Sequence, residues 1–306
     1  MSHGAAENAV GLLARVRAVV EPAWTPLADK PEESLDRTVR ALWFAAADAP
    51  RAVERCDDGD LPALDSAAAA RVLELARQRA EGTPLAHLTC RQSFFGLEML
   101  SGPGALIPRH ETELLARTAL SRLPARADED RPLSVVDVCT GSGNVALAMA
   151  AADSRIRVLG IDISEEAIEL ADANARHLDL AGRARFLVRD LFAGLDEQVD
   201  RHSLDLITCN PPYITSANLA HLPSETRDHE PRLAFDGGAF GLDVISRVVA
   251  ESPHWLRPGA ALCFEVGAAN GKFFAGRVGR NDRYESVEPI ANEEGVVRVI
   301  VATTRA

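Results

Sequence analysis

The sequence predicts an α/β protein with a mostly parallel sheet, preceded by a small N-terminal helical domain. From residue 134 onward, short apolar runs rich in strand-forming residues alternate with amphipathic stretches of helical spacing. Such alternation is typical of parallel strands joined by right-handed helical crossovers. Several of the runs end in glycine-rich, acidic or proline-rich segments. Because ligands bind at the carboxyl ends of strands in open α/β sheets, we expect the functional site at these segments.

The helical domain is expected over residues 1–83. Two stretches in it, 9–20 and about 35–48, carry apolar side chains at helical spacing. A third predicted helix begins at Asp65 or Ser66, either of which can cap it. This region contains no cluster of residues suited to catalysis.

A hairpin is predicted to link the two domains over 84–107, with short strands at 85–90 and 92–100. The second domain is expected over 108–306. Its predicted strands are 135–138, 157–161, 185–188, 204–209, 261–266, 283–289 and 295–302. Its predicted helices include 145–151, about 164–180 with Ser164 as cap, and 240–256.

Composition and charge argue against several classes of protein. No run approaches the ~20 apolar residues of a membrane-spanning helix, and Arg15 and Arg17 interrupt the apolar N-terminus, unlike a secretory signal. The five cysteines are scattered without a C-x-x-C pair. We therefore expect reduced thiols, no metal site and a cytoplasmic protein. The net charge of −12, without a basic block, argues against direct nucleic-acid binding.

The strand at 204–209 ends in Asn210-Pro211-Pro212-Tyr213, a segment that we call the hook. The residue before a proline is extended and each proline restricts its own φ, so the hook is a stiff turn. The Asn210 side-chain oxygen and the Pro211 carbonyl are both acceptors. Aimed at one NH2 group, they would orient it and favour positive charge developing on its nitrogen. The Tyr213 ring could stack on the planar group that carries this nitrogen. The alternative is a turn that merely packs.

A glycine-rich loop, Gly141-x-Gly143-x-x-Ala146, follows the first predicted strand and indicates a nucleoside-containing cofactor. Glycines let the backbone approach a ligand, and Asp162 at the end of the second strand could hold ribose hydroxyls. A nicotinamide-dependent dehydrogenase shows the same plan.

Three features favour S-adenosylmethionine over a nicotinamide cofactor. Asp137 could face the cationic methionine end, and Asp190 closes the third strand, where an adenine amino group could donate to it. With Asn144 in the loop, little of the usual pyrophosphate-binding sequence pattern is present. In addition, no segment resembles a hydride-transfer site, whereas the hook suits methyl transfer to nitrogen.

Together these segments resemble the protein-(glutamine-N5) methyltransferases of the PrmC/HemK type. The matching segments are 106–113, 137–143, Asp162, 190–192, 210–213, 229–231 with Gly237, Gly238, Gly241 and Leu242, and 264–267. The resemblance implies a class I S-adenosylmethionine-dependent methyltransferase with a Rossmann-like, seven-stranded, mostly parallel sheet. It also implies methylation of a glutamine side-chain amide, in the Gly-Gly-Gln motif of peptide chain release factors or, in a sister branch, in a ribosomal protein.

The resemblance assigns roles residue by residue. Asn210, Pro211 and Tyr213 are the expected catalytic residues. The expected cofactor contacts are Asp137, Cys139, Thr140, Gly141, Ser142, Gly143, Asp162, Ile163, Asp190, Leu191 and Asn210. The expected substrate contacts are Asn210, Pro211, Pro212, Tyr213, Arg109 and Glu230, the last two on the resemblance alone and without a specific role.

The chain departs from the family pattern at His87, His110 and Phe240. These departures leave the reaction unchanged and the methyl acceptor open between a release factor, a ribosomal protein and a small-molecule amide or amine. Two further alternatives are an amino-group methyltransferase of nucleic acids, which flips its target base, and a catalytically silent binding module. The acidic charge argues against the first, and the intact hook with Asp162 argues against the second.

Overall fold

The structure, a computed structural model, describes residues 2–26, 30–57, 59–124 and 131–305. The chain divides into two compact units. The helical unit comprises Met1–Pro103 with Pro223–Glu230, and the sheet unit comprises Gly104–Leu222 with Pro231–Ala306. Within the described ranges, no helix is long and apolar enough to cross a membrane.

Helices and strands are numbered here in chain order. The helices are α1 (Ser2–Val20), α2 (Leu35–Ala46), α3 (Ser66–Ala80), α4 (Leu85–Thr89), α5 (Glu113–Arg122), α6 (Asn144–Ala152), α7 (Glu165–His177), α8 (Ser224–His229), α9 (Asp243–Glu251) and α10 (Gly271–Val278). The strands are β1 (Arg91–Phe94), β2 (Leu97–Leu100), β3 (Leu133–Val138), β4 (Ile156–Asp162), β5 (Ala184–Val188), β6 (Leu204–Cys209), β7 (Leu256–Glu265), β8 (Tyr284–Ala291) and β9 (Val297–Thr304).

Two helices of the helical unit, α2 and α3, begin at capping side chains. Ser34 accepts a hydrogen bond from the backbone N–H of Arg37 at the start of α2. Asp65, rather than Ser66, caps α3 by accepting from the N–H of Ala68. An apolar core in this unit includes the buried side chains of Val16, Val39, Leu42, Trp43, Val72 and Leu85.

The strand predicted over 85–90 is wrong, because this segment forms the short helix α4. The backbone N–H of Leu88 donates to the carbonyl of Pro84, and the Thr89 hydroxyl donates to the carbonyl of Leu85. Apolar residues over so short a run do not distinguish helix from strand by period alone. Cys90, at φ +54°, ends the helix, and the hairpin is confined to β1 and β2.

The compact units differ from the predicted division at 83/84 and 107/108 in two respects. The hairpin groups with the helical unit, and so does the segment Pro223–Glu230, which contains α8. Within that unit, Glu225 on α8 forms ion pairs with Lys30 at 2.6 Å and Arg79 at 2.8 Å. The three-part division by sequence stays a prediction.

The sheet unit has a seven-stranded sheet in the order β5-β4-β3-β6-β7-β9-β8. The five strands β5, β4, β3, β6 and β7 run parallel to one another. Strand β9 is antiparallel to both of its neighbours, β7 and β8. This order confirms the expected Rossmann-like α/β fold. Ser164 caps α7 as predicted, by accepting from the N–H of Ala167. The helix expected over 240–256 is observed as the shorter α9, Asp243–Glu251. Helices α8 and α10 were not predicted.

The register of the parallel strands determines which residues meet at the carboxyl edge. Val138 pairs with both Ile161 and Cys209, and Cys209 pairs with Phe264. The residues that follow β3, β4, β6 and β7 therefore emerge side by side. All these strands are buried toward their carboxyl ends, so the edge is supported by the core.

Candidate active site

A cavity of about 290 Å³ lies at this edge, within the sheet unit. The cofactor residues predicted from the sequence that line it are Asp137, Cys139, Thr140, Gly141, Ser142, Asp162, Ile163, Asp190, Leu191 and Asn210. Arg109 and Pro212 line it too. Gly143, Pro211 and Tyr213 are not among its lining residues. Glu230 belongs to the helical unit.

Asp137 lies on β3 at the floor of the site and is 2% exposed. Its carboxylate accepts hydrogen bonds of 2.6 Å from the hydroxyls of Thr140 and Thr208. Burial raises the pKa of Asp137 to about 6, although these hydrogen bonds oppose the rise. A cation beside the carboxylate would compensate for its desolvation, so this position suits a positively charged ligand group.

The glycine-rich loop turns sharply between β3 and α6. Gly143 has φ +81°, and a Cβ added there would lie 2.9 Å from Cζ of Phe186. Glycine is therefore required both for the backbone conformation and for the contact with the Phe186 ring. The carbonyl of Ser142 accepts from the side chain of Asn174 on α7, which holds the loop in place.

Asp162, which ends β4, faces the same loop. Its carboxylate accepts from the backbone N–H of Gly141 at 2.9 Å and from that of Ser164 at 3.0 Å. Burial raises its pKa, and these backbone hydrogen bonds lower it. A carboxylate has about four acceptor positions, so capacity remains for hydroxyl groups of a ligand.

Asp190, beyond β5, has a partner that the sequence did not predict. Arg247 on α9 donates two hydrogen bonds to its carboxylate, at 2.9 and 3.2 Å. Arg247 also lines the cavity. No sequence pattern connects these two residues, because they are far apart in the chain and meet only through the packing of α9.

The hook follows β6 and places Asn210 at the cavity. The Asn210 Nδ2 donates to the hydroxyl of Thr112 at 3.3 Å. Among the described residues, Thr112 thus joins the site, although the sequence assigned it no role. The Tyr213 hydroxyl donates to Glu265 at 3.5 Å, and burial with the Glu265 charge raises the pKa of Tyr213 to about 12.

The backbone of the hook is supported by the segment that precedes α9. The Ile214 N–H donates to the Phe235 carbonyl at 3.0 Å, and the Gly237 N–H donates back to the Ile214 carbonyl at 2.8 Å. Gly241 lies so close that an added Cβ would be 2.4 Å from the Tyr213 carbonyl oxygen. Two of the glycines matched in the sequence, Gly237 and Gly241, therefore let this segment pack directly against the backbone of the hook.

Comparison with known proteins identifies the chain's relatives. Residues 129–255 match a family described as a methyltransferase domain. A release factor glutamine methyltransferase of Moorella thermoacetica is 38% identical over 238 residues, covering 78% of this chain and 80% of the relative. The release factor glutamine methyltransferase of Burkholderia pseudomallei is 36% identical and also covers 78% of this chain and 80% of the relative.

This chain belongs to the release factor glutamine methyltransferase family. A further relative of the same name, from Geobacter sulfurreducens, is 37% identical over 74% of this chain and 75% of the relative. Among solved structures, a human methyltransferase 10 domain containing protein is 14% identical with a TM-score of 0.48, covering 69% of this chain and 90% of that protein.

As a member of this family, the chain is a methyltransferase. The family implies S-adenosylmethionine as the methyl donor. The residues present fit this cofactor. Ser142 Oγ is buried in the loop without a hydrogen-bond partner among the described residues. The buried Asp137 carboxylate suits a cationic group, and Asp162 retains capacity for hydroxyls.

Several residues at or next to the site were not predicted from the sequence. Thr112 accepts from Asn210, Glu265 accepts from Tyr213 and pairs with Arg298, and Arg247 pairs with Asp190. Thr112 and Glu265 lie in segments that match the family, which is the one signal that could have directed attention to them. All five cysteines are free thiols in the structure.

Proposed function

We propose that this chain transfers a methyl group from S-adenosylmethionine to the side-chain amide nitrogen of a glutamine in a peptide chain release factor. The observation that carries the proposal is the placement of Asn210 at the wall of the cavity that also contains Asp137 and Asp162. The names of the relatives, which span most of the chain, support a release factor as the acceptor.

The cofactor residues are proposed from the order of the strand ends. Asp137 would hold the cationic methionine end, and Asp162 the ribose hydroxyls. Ile163, Asp190 and Leu191 would hold the adenine. The remaining contacts come from the loop residues Cys139, Thr140, Gly141, Ser142 and Gly143. When bound, S-adenosylmethionine supplies an electrophilic methyl group on a sulfonium.

The hook orients the acceptor. An amide nitrogen is a poor nucleophile because its lone pair is delocalised. The Asn210 Oδ1 and the Pro211 carbonyl each accept one N–H of the glutamine amide, which holds the nitrogen in line and stabilises the positive charge that develops there. No strong general base is required, because the proton can leave after the methyl group has been transferred. Pro212 and Tyr213 shape the slot, and Arg109 contacts the protein substrate.

The test is a transfer assay with S-adenosylmethionine that carries a labelled methyl group. The purified chain is incubated in parallel with a recombinant release factor, with the same factor carrying Gln→Ala in its Gly-Gly-Gln motif, with ribosomal proteins, and with a small-molecule extract. Label on the intact release factor but not on the variant supports the proposal. Label on a ribosomal protein or a small molecule alone would overturn the proposed acceptor.

A further inference from the structure

A second cavity, of about 290 Å³, lies within the sheet unit at the amino ends of the parallel strands, opposite the active site. We call it the amino-edge cleft. The basic side chains that line it are His202, Arg283 and Arg305, and the apolar ones are Pro253, Leu256 and Pro258. Among the residues that the structure describes, no aspartate or glutamate lines this cleft. In a chain of net charge −12, such a cavity indicates an anionic ligand.

The strand order brings these residues together. His202 precedes β6, and its backbone N–H donates at 3.2 Å to the carbonyl of His254, which precedes β7. Arg283 precedes β8 and Arg305 follows β9, and the Arg305 N–H donates to the Arg283 carbonyl at 3.3 Å. Because β9 runs antiparallel to β7, its carboxyl end lies beside the amino end of β7. The cleft is therefore built on the ends of core strands, which hold its walls in place.

Neutral groups, rather than carboxylates, orient the two arginines of the cleft. Arg283 Nη1 donates to Nε2 of His254 at 2.8 Å. Arg305 Nε donates to the backbone carbonyl of Asp282. Arginine can only donate, so the His254 ring accepts and is neutral. Burial, together with the charges of Arg283 and Arg201, lowers the pKa of His254, in agreement with a neutral ring. Each guanidinium is thus held in place while further N–H donors remain for a ligand.

The charge of these arginines is not compensated within the described part of the chain. Neither Arg283 nor Arg305 forms an ion pair with a described carboxylate. By contrast, the exposed Arg232 pairs with Asp236 at 3.0 Å. Asp282, the acid next to Arg283 in the chain, is exposed and does not line the cleft. Like charges that share a cavity repel each other, and an anion between them would remove this cost.

The donors of the cleft suit a phosphate group. An arginine fork binds two phosphate oxygens at once. A tetrahedral phosphate has enough oxygens for two guanidiniums, whereas a planar carboxylate has only two oxygens in all. His202 Nδ1 donates to the Leu256 carbonyl at 3.3 Å, so its Nε2 can accept from a phosphate hydroxyl or, once protonated, donate to a phosphate oxygen. Pro253 and Pro258 provide an apolar surface for the organic part of a phosphate ester.

We propose that the amino-edge cleft binds a phosphate group, carried by inorganic phosphate or by a small phosphate monoester such as a nucleoside monophosphate. Arg283 and Arg305 hold the phosphate oxygens, and His202 makes a third contact. The basic side chains form one compact cluster in an acidic chain, so a polynucleotide is not the expected ligand. The site is separate from the active-site cavity and does not depend on the identity of the methyl acceptor.

Calorimetric titration of the full chain at constant ionic strength tests the site, with inorganic phosphate, uridine monophosphate and acetate as probes. Both phosphate compounds should bind saturably with a Kd of roughly 0.1 to 1 mM, and acetate about tenfold more weakly or less. Arg283→Gln and Arg305→Gln should each weaken phosphate binding by roughly 5- to 20-fold. Arg185→Gln is the matched control, because Arg185 on β5 is also exposed and has no ion pair with a described carboxylate. It should bind phosphate within about twofold of wild type.

The proposal is wrong if neither phosphate compound binds below about 10 mM, or if both arginine variants, shown by circular dichroism to be folded, bind as the wild-type chain does. Equal binding of acetate and phosphate would also contradict it. Binding of a uridine octanucleotide that inorganic phosphate does not displace would assign the cleft to a polynucleotide instead. Affinity for S-adenosylmethionine should stay within about twofold of wild type in both variants, because the cleft lies at the other edge of the sheet.

Discussion

Asn210 and Asp137 perform different tasks at the same edge of the sheet. Asn210 is half-buried and presents a neutral amide at the cavity, whereas Asp137 is buried and presents a carboxylate held by two hydroxyls. The first suits an acceptor that must be oriented, and the second suits a cation that must be bound. At the residue scale, turnover and cofactor affinity should therefore respond to different substitutions.

Replacing Asn210 should affect turnover more than cofactor binding. Asn210→Ala removes one of the two acceptors proposed for the amide, and we expect kcat to fall by roughly 100-fold. Affinity for S-adenosylmethionine, measured by calorimetry, should change little. Asn218→Ala, at an exposed position, is the control. Wild-type turnover in Asn210→Ala would refute the proposed role of the hook.

Replacing Asp137 should affect cofactor affinity and its pH dependence. The free carboxyl has its pKa raised to about 6, and the ionised form is the one that binds a cation. Affinity for S-adenosylmethionine should therefore rise as the pH increases through about 6 and level off above it. Asp137→Asn should weaken binding by about 10- to 100-fold and lose this pH dependence. Titration calorimetry across this pH range tests it, with exposed Asp200→Asn as control; an unchanged profile in Asp137→Asn would contradict the assignment.

At the scale of elements, the hook depends on the segment before α9 rather than on its own prolines alone. The two segments exchange backbone hydrogen bonds at Ile214, Phe235 and Gly237. Gly241 brings the two backbones into direct contact. A substitution in this segment should therefore disturb the active site even though it replaces no residue that contacts a ligand.

Gly241→Ala tests this dependence. Gly241 has φ +67°, and its added Cβ would meet the Tyr213 carbonyl at 2.4 Å. Gly295→Ala is a matched control, because Gly295 has φ +78° and nothing within 4 Å of an added Cβ. The positive φ should lower the free energy of unfolding of both variants by about 1 to 2 kcal/mol. The clash should lower that of Gly241→Ala by about 1 to 3 kcal/mol more. Urea unfolding and kcat measure the difference; equal stability of the two variants would show that the contact is unimportant.

At the scale of the whole molecule, the chain leaves the sheet unit after the hook, contributes α8 to the helical unit, and then returns. Within the helical unit, buried ion pairs hold α8 in place. The Glu225 carboxylate pairs with Lys30 and Arg79, whose side chains are 4% and 9% exposed. Arg79 also pairs with Glu33, whose pKa is raised to about 6 by burial. Two cations thus share two carboxylates away from water.

Removing one of these carboxylates should destabilise the helical unit. Glu225→Gln keeps the size of the side chain and leaves Lys30 and Arg79 with an incomplete set of partners. Loss of one member of a buried ion pair costs about 3 to 5 kcal/mol. Glu285→Gln, on an exposed position of β8, should change stability by less than about 0.5 kcal/mol. Urea unfolding followed by circular dichroism compares the two; similar stabilities would mean that the Glu225 pairs contribute nothing net.

Most of the fold and the outline of the site could be predicted from the sequence. Each predicted strand of the sheet corresponds to an observed one. The buried parallel strands β3 and β6 are the clearest cases, because they are nearly continuous apolar runs with distinct ends. Asp137, Asp162 and Asn210 were predicted to lie together, because residues that follow parallel strands emerge at one edge. The error at 85–90 arose because a run this short has no decisive period.

By itself, the sequence therefore determined the alternation of strands and helices, the stiff hook, and the acidic and glycine residues at the strand ends, since all of these depend on local chemistry. Only the tertiary structure decided that Arg247 pairs with Asp190 and that α8 joins the helical unit. It also decided that Thr112 contacts Asn210 and that Glu265 contacts Tyr213. These contacts join residues distant in the chain, and their existence depends on strand register and helix packing, which no local pattern specifies.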